Sequence, residues 1–348
     1  MTRTSRPRTA HTARAIISVD FGATRISAGL VTREGEVLDV IEEATRERAT
    51  NGVDQLLDAI RGLHARARLR TIRVEGVGVG LPGIVDVEKG MMTGEGGNLV
   101  PEFARVPIID RIHEATGLRA FVDNDVNALA LAEHRYGAGR GVHSLVLVAL
   151  GTGPGGAVIL DGKLVRGRDG YAGEFGHLPI VLDGPVCPCG GHGCTSYYLA
   201  GMMIARRARA SLPVHPGSKL LAMAGGDPEA ISARLVFDAA RAGDDLSIAL
   251  VDQACEALGA GLGIILNGLN PDLIVITGGM APSILERQAD ILRRAGKYAF
   301  SRVLASATIR IVPSSKRDTV RGGAALFLYE SELRRATRAR SARARKGG

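Results

Sequence analysis

One pattern of strand, glycine turn, strand and hairpin occurs twice in this chain. AIISVD (15–20) is an apolar run ending in Asp20; the tight turn Phe21-Gly22-Ala23-Thr24-Arg25 follows, then ISAGLV, the turn Arg33-Glu34-Gly35 and EVLDVI. The second copy is SLVLVAL (144–150), Gly151-Thr152-Gly153-Pro154-Gly155-Gly156, AVIL, the turn Asp161-Gly162 and KLV. Eleven positions separate Thr24 from Gly35, and ten separate Thr152 from Gly162. Short apolar runs bounded by glycine turns read as strands joined by hairpins. The same kind of turn with the same downstream hairpin points to a duplicated domain rather than to two unrelated hairpins.

Between and after the copies, helical and strand patterns alternate. Apolar spacing predicts helices over 51–67 and 106–116, with strands at VEGVGVG and at 120–122. The second half carries a long apolar helix (246–268), a strand at 272–277 running into Gly278-Gly279, a helix at 284–295, a strand at 308–312 and a final helix at 320–335. That alternation predicts an α/β fold with mostly parallel sheets. A length of 348 residues, 45% hydrophobic, suffices for two domains with real cores. Aromatic content is 4% with no Trp, so the cores are built from Val, Ile, Leu and Ala. No apolar run reaches the roughly 18–20 residues of a bilayer span, and a cytoplasmic protein is expected.

The net charge of +8 sits at the ends. Arg3, Arg6, Arg8 and Arg14 open the chain without an acid, and Arg334, Arg335, Arg338, Arg340, Arg343, Arg345 and Lys346 close it without one. Those eleven exceed the net charge, so the body is acidic. The ends read as disordered solubilising segments, at residues 1–14 and 336–348, rather than as a nucleic-acid interface.

Chemistry concentrates in four places. The turns after Asp20 and after Leu150 are poor in side chains, so their N–H groups can approach phosphate oxygens, with Thr24 and Thr152 adding hydroxyl donors. Asp20, at the end of its strand, is placed to hold Mg²⁺ through water. Neither turn is a Walker A motif or a dinucleotide fingerprint. At FVDNDVNALALAEHRYG (121–137) a strand meets a helix through Asp123, Asn124, Asp125 and Asn127; one N-cap needs one such residue, so four suggest a polar site. GEFGH places Glu174 and His177 three apart. His177 with Cys187, Cys189 and Cys194 makes a Cys₃His set, a standard structural zinc complement, with His192 as a rival ligand. Cys255 stands alone.

These motifs, with LNPDLIVITGG (269–279), resemble in order the ROK family (repressor, open reading frame, kinase), particularly its glucokinase-like sugar kinases. The resemblance covers residues 15 to about 325. It implies the two-domain actin/hexokinase-like, ribonuclease H-like ATPase fold with duplicated βββα units. The expected domains are a small one at 15–123, completed by the helix 320–335, and a large one at 124–319 carrying a zinc loop at 177–194. It further implies ATP and Mg²⁺ in the interdomain cleft and a structural Zn²⁺ on His177, Cys187, Cys189 and Cys194. Asp20, Gly22, Thr24, Arg25, Gly151, Thr152 and Gly153 match the phosphate contacts, and Gly278 and Gly279 those near the adenosine. Asp125 matches the catalytic base, and Asn98, Asn124, Glu174 and His177 the sugar contacts; a homodimer is the family habit.

Three positions depart from the family pattern. Ala23 replaces a glycine in the first turn, Pro154 replaces a hydrophobic residue in the second, and Thr195-Ser196 replaces the Leu-Glu pair after the last zinc cysteine. In family sugar kinases that Glu contacts the sugar near its anomeric end, so Ser196 implies a changed acceptor, for which a C7-cyclitol phosphorylated on its hydroxymethyl group is one candidate. The family also contains repressors with an N-terminal helix-turn-helix domain. About fourteen residues precede the first strand here, too few for such a reader, so a kinase is expected over a repressor or a non-catalytic sugar sensor.

Overall fold

The computed structural model describes residues 13–45, 51–94, 100–313 and 315–344. Its strands are β1 (Arg14–Phe21), β2 (Arg25–Val31), β3 (Val37–Ala44), β4 (Arg73–Leu81), the short ribbon β5 (Val85–Asp86) and β6 (Met91–Met92), β7 (Ala120–Asn124), β8 (Leu145–Leu150), β9 (Pro154–Leu160), β10 (Lys163–Val165), β11 (Leu273–Thr277) and β12 (Thr308–Ile311). Two five-stranded sheets result, ordered β3-β2-β1-β4-β7 and β10-β9-β8-β11-β12. In each, the first three strands form an antiparallel meander and the last two add in parallel. The repeat read in the sequence is therefore a repeat of topology. Its second hairpin turns through Asp161 and Gly162, both at positive φ, the geometry that matches strand twist.

Helices follow the same division: α1 (Gly52–Leu69), α2 (Ile108–Thr116), α3 (Asp125–Tyr136), α4 (Thr195–Leu199), α5 (Gly201–Ser211), α6 (Leu220–Met223), α7 (Ala233–Arg241), α8 (Asp245–Leu269), α9 (Ala281–Leu285), α10 (Gln288–Ala295), α11 (Ser301–Ser306) and α12 (Lys316–Ala344). The contacts divide the described chain into two compact units, the first drawn from Met1–Thr93, Leu99–Ala128 and Thr319–Gly348, the second from Gly94–Asn98 and Leu129–Asp318. The boundary falls inside α3, a few residues beyond the expected one at 123/124.

In the first unit Ile17, Val19, Val77 and Val79 of the sheet meet Leu56, Ile60 and Leu63 of α1. Asn51 caps α1 by accepting from Asp54 N–H at 2.9 Å. α12 returns from the far end of the chain to the same sheet. Ser18 Oγ donates to Val320 C=O and accepts from Ala324 N–H at 2.9 Å.

The second unit is built on α8, whose Leu250, Ala254, Leu258 and Leu262 pack with Val146, Val148, Ile274 and Ile276. Asp244 caps its start and Asn270, in the left-handed region, ends it. α8 is long and apolar enough to cross a bilayer by length and composition, yet 67% of the relevant window is buried inside the protein, as in a core helix.

Two expected elements differ. The single helix at 284–295 is two, α9 and α10, separated at Glu286 and Arg287; Arg287 is drawn to Asp252 on α8 and Asp290 on α10, both at 2.7 Å. The final helix runs on to Ala344, so residues 336–344 of the tail expected to be disordered are helical. Of the stretch at 1–14 expected to be disordered, residues 1–12 lie outside the described residues and Arg14 opens β1; Asn98 also lies outside the described residues.

Candidate active site

In the first unit, parallel strands bring carboxylates from distant sequence to one edge. Asp20 on β1 pairs in register with Gly80 on β4, and Gly80 pairs with Asp123 on β7. Two strand spacings separate Asp20 from Asp123, about 10 Å. This row lies at the carboxyl ends of the strands, where open α/β sheets bind ligands.

The four polar residues at the start of α3 divide their work. Asn124 is the cap: its Oδ1 accepts from Val126 N–H at 2.9 Å and Asn127 N–H at 3.1 Å, and its Nδ2 donates to Gly83 C=O at 3.1 Å. Asp123 is buried and accepts from Asn124 N–H at 2.7 Å and Asn127 Nδ2 at 2.9 Å. Asp125 opens the helix itself, half-buried, with Val126 N–H donating to its Oδ1 at 2.9 Å. The surplus over one cap thus braces the start of the helix that carries Asp125.

Burial pushes the Asp20 carboxyl above its ordinary range, and a hydrogen bond with the Thr319 side chain pulls the other way. In the adjoining turn, Gly22 N–H donates to Arg25 C=O at 2.8 Å and Thr45 Oγ1 donates to Gly22 C=O at 2.8 Å. Thr24 and Arg25 are exposed, and Arg25 reaches Glu42 at 3.5 Å. Among the described non-glycine residues only Thr71, Arg105, Asp161, Asp183 and Asn270 have positive φ, so the methyl group of Ala23 is accommodated without strain.

The second unit gathers the other motifs. Gly151 N–H donates to Gly153 C=O at 3.2 Å, and the start of α5 closes on the same turn: Gly201 N–H donates to Gly151 C=O at 3.0 Å and Met202 N–H to Thr152 C=O at 3.3 Å. The Thr152 side chain is exposed. Pro154 begins β9 opposite Leu150, where its fixed φ suits an extended strand. Gly278, at φ 98°, lies against the end of β8, where a Cβ would meet Leu150 C=O at 2.4 Å, so Gly278-Gly279 sits beside the glycine turn. Gly173 packs on Gly156 so closely that a Cβ on it would lie 2.7 Å from Gly156 C=O, which brings Glu174 and His177 to the same turn. Burial holds the Glu174 carboxyl above the usual range, opposed by the nearby His177.

One ligand atom from each of His177, Cys187, Cys189 and Cys194 lies within 4.8 Å of the others. Burial pushes the Cys187 thiol up and the Cys194 thiol up to about 12, whereas at Cys189 burial is outweighed by hydrogen bonds from Gly191 N–H and the neighbouring thiols, which lower that thiol. The donor set and its closeness suit zinc. His192 is outside the set and faces Gly184 C=O at 3.3 Å. Ser196 is half-buried on α4, next to Thr195, whose buried hydroxyl ties α4 to Phe175 C=O at 2.6 Å. Thr45, Thr319, Gly201 and Met202 were not foreseen; of these only Thr319 lay in a predictable contact, and only if the last helix were known to return to β1.

The ROK family model matches residues 16–330. A glucokinase from Thermotoga maritima is 34% identical over 303 residues, covering 86% of this chain and 89% of that enzyme. The crystal structure of a ROK family glucokinase from Streptomyces griseus in complex with glucose and AMPPNP superposes with a TM-score of 0.73 at 30% identity, covering 89% of this chain and 98% of that one. A xylose repressor from Caldicellulosiruptor bescii is 28% identical over 75% of this chain and 65% of its own length. The fold is that of the ROK glucokinases, the actin/hexokinase-like ATPase fold, and the chain belongs to the ROK family.

Proposed function

We propose that this protein is an ATP-dependent kinase that phosphorylates a primary hydroxyl of a hexose or a sugar-like polyol, with Asp125 as general base. The observation that carries the reading is the register row joining Asp20, through Gly80, to Asp123 and the start of α3. It sets the Asp20 carboxylate and the half-buried Asp125 carboxylate at the same end of parallel strands that flank β4.

In this reading ATP is held by Gly22, Thr24 and Arg25 and by Gly151, Thr152 and Gly153, with its adenosine near Gly278 and Gly279. Asp20 would hold Mg²⁺ through water, and the ion would neutralise charge on the phosphates. Asp125 accepts the proton of the acceptor hydroxyl as that oxygen attacks the γ-phosphorus in line; the bond from the γ-phosphorus to the β–γ bridging oxygen breaks and ADP leaves. Orientation of the acceptor supplies roughly 7–11 kcal/mol of the barrier reduction. Asn98, Asn124, Glu174, His177 and Ser196 contact the acceptor, Asn124 through the Nδ2 hydrogen not given to Gly83. His177, with Cys187, Cys189 and Cys194, would hold a zinc ion, which would fix the orientation of the imidazole ring. Ser196 in place of an acid favours an acceptor without an ordinary reducing end, such as a cyclitol. The enzyme is read as cytoplasmic and homodimeric.

The test is an ATP-turnover screen of the full-length chain over hexoses, N-acetylhexosamines and cyclitols. Turnover with one of these classes is expected. Sugar binding by calorimetry without ATP turnover across the panel would instead assign a sensor or regulator.

A further inference from the structure

A polar cavity lies within the first unit, at the opposite end of β7 from Asp123. Its volume is about 350 Å³, and Glu88, Ile109, Arg119, Ala120, Ser331, Arg334, Arg335 and Arg338 line it. Ala120 opens β7 and Asn124 ends it, so about four residues of strand, roughly 13 Å, separate the cavity from the start of α3. Along α12, the twelve residues from Thr319 to Ser331 span about 18 Å.

Ser331, Arg334, Arg335 and Arg338 follow one another at i, i+3, i+4 and i+7, so they share a face of α12. Like charges at these spacings repel, and Arg119 adds a fourth guanidinium from the start of β7. Glu88 is the one acid of the lining. The Arg334 guanidinium lies over the Phe121 ring, 4.7 Å from its centroid, and that ring packs on Phe327 at 5.5 Å. Stacking of this kind fixes the direction of its donors. Ser331 is 8% exposed, and its Oγ has no hydrogen-bond partner among the described residues. In a helix such a hydroxyl ordinarily bonds back to the preceding turn; here it is left over beside four cations.

We propose that this cavity binds a phosphate dianion, either free inorganic phosphate or the phosphate of a small monoester. Guanidinium forks match phosphate oxygens in geometry and charge. The volume falls in the range of small-molecule sites and leaves room for an ester's body against Ile109 and Ala120. The Ser331 hydroxyl then gains a charged acceptor, and the repulsion along α12 is neutralised.

The test is calorimetric titration of the full-length chain with inorganic phosphate, with a hexose 6-phosphate and with a 20-nucleotide single strand of DNA. It is repeated on the Arg335→Gln/Arg338→Gln double variant and on Ser331→Ala, each checked for an unchanged circular dichroism spectrum. Phosphate, the monoester or both bind the parent chain. The double variant weakens that binding about tenfold or more, and Ser331→Ala about three- to tenfold. The proposal fails if neither phosphate probe binds, or if the double variant binds them like the parent, which would put the anion elsewhere. It fails equally if only the DNA binds and the double variant abolishes that.

Discussion

His177 Nδ1 lies 3.7 Å from Cys187 Sγ, on the edge of a cluster that also holds Cys189 and Cys194. One ring nitrogen is thereby committed to the metal-binding side, and Nε2 is the nitrogen left for another partner. The loop that brings the cysteines round is folded back on itself by main-chain bonds, among them Cys187 N–H to Gly191 C=O at 2.8 Å and Gly193 N–H to Pro185 C=O at 2.9 Å. The purified chain is expected to carry about one zinc per molecule by elemental analysis, as a structural Cys₃His site does. Cys189→Ser, which removes an exposed ligand without opening a cavity, should lose the metal and about 2 kcal/mol of stability. That appears as a fall in melting temperature of about 4–8 °C for a unit of this size. A zinc-free parent chain with the same melting temperature would rule out a structural metal.

The start of the helix that carries Asp125 is braced by bonds that do not depend on its charge. Asn124 caps α3, and Asp123 and Asn127 brace each other. Asp125→Asn therefore leaves the helix start in place and removes only the base. Turnover should fall by about 10²–10⁴, the usual worth of a positioned general base. The Michaelis constant for ATP should change by less than about threefold, since the glycine turns are untouched. A variant that keeps near-parental kcat excludes this carboxylate as the base.

Ser196 sits on α4 one residue after Thr195, which is locked to Phe175 C=O and Leu178 C=O. That anchoring fixes where a longer side chain at 196 starts. Ser196→Glu is expected to raise kcat/KM for glucose relative to cyclitols by about tenfold or more, the equivalent of one hydrogen bond to a charged group at about 1.5–3 kcal/mol. An unchanged preference between the two acceptors would detach position 196 from acceptor choice.

Much of the fold was legible because its signals are local. Apolar runs at 15–20 and 144–150, each followed by a glycine turn, announce strands wherever they occur, and two copies in the same order announce the second sheet. The Cys₃His cluster was legible for the same reason, its four residues lying within eighteen consecutive positions. Long-range contacts were not. Nothing near Asp20 in sequence names Thr319 as its partner, and nothing in GTGPGG says that the N-terminus of α5 closes on it. The four polar residues at 123–127 showed that the α3 start exceeds a simple cap, but not which of them caps; only the hydrogen bonds assign that to Asn124. The length of α12 was underestimated because Arg-rich sequence after 335 has no apolar period to follow.

A pH dependence follows from the contact between α8 and α10. Glu256 accepts from Tyr298 Oη at 2.6 Å, from Lys297 Nζ at 3.0 Å and from Arg294 at 2.8 Å. These hold its carboxyl at about 2, below the ordinary value of 4.5, with the tyrosine contributing most. A carboxylate depressed on folding stabilises the protein above its unfolded value and ceases to do so as pH falls through its folded one. Glu256→Gln should therefore lower the melting temperature at pH 7, and the gap from the parent should close between about pH 4.5 and about pH 2. A gap constant across that window would show that the network contributes through packing rather than charge.

The closest backbone approach in the first unit sets helix propensity against packing. A Cβ on Gly323 would lie 2.1 Å from Gly78 C=O and 2.7 Å from Ser18 Oγ. Replacing a helix-interior glycine by alanine is worth about 1 kcal/mol of propensity. Overpacking costs about 1–3 kcal/mol or more when the neighbour cannot yield. Gly78 cannot: it is main chain of β4, paired with β1 on one side and β7 on the other. α12 must move instead, taking with it the Ala324 N–H bond to Ser18 and the Thr319 bond to Asp20. Gly323→Ala is therefore expected to be destabilising by about 2 kcal/mol despite the propensity gain. Gly62 in α1 is the matched control, because a Cβ there meets nothing within 4 Å. Gly62→Ala should be stabilising by up to about 1 kcal/mol. Denaturant unfolding of the two variants reads both signs, and a stabilised Gly323→Ala would mean that α12 is not seated on β4 as described.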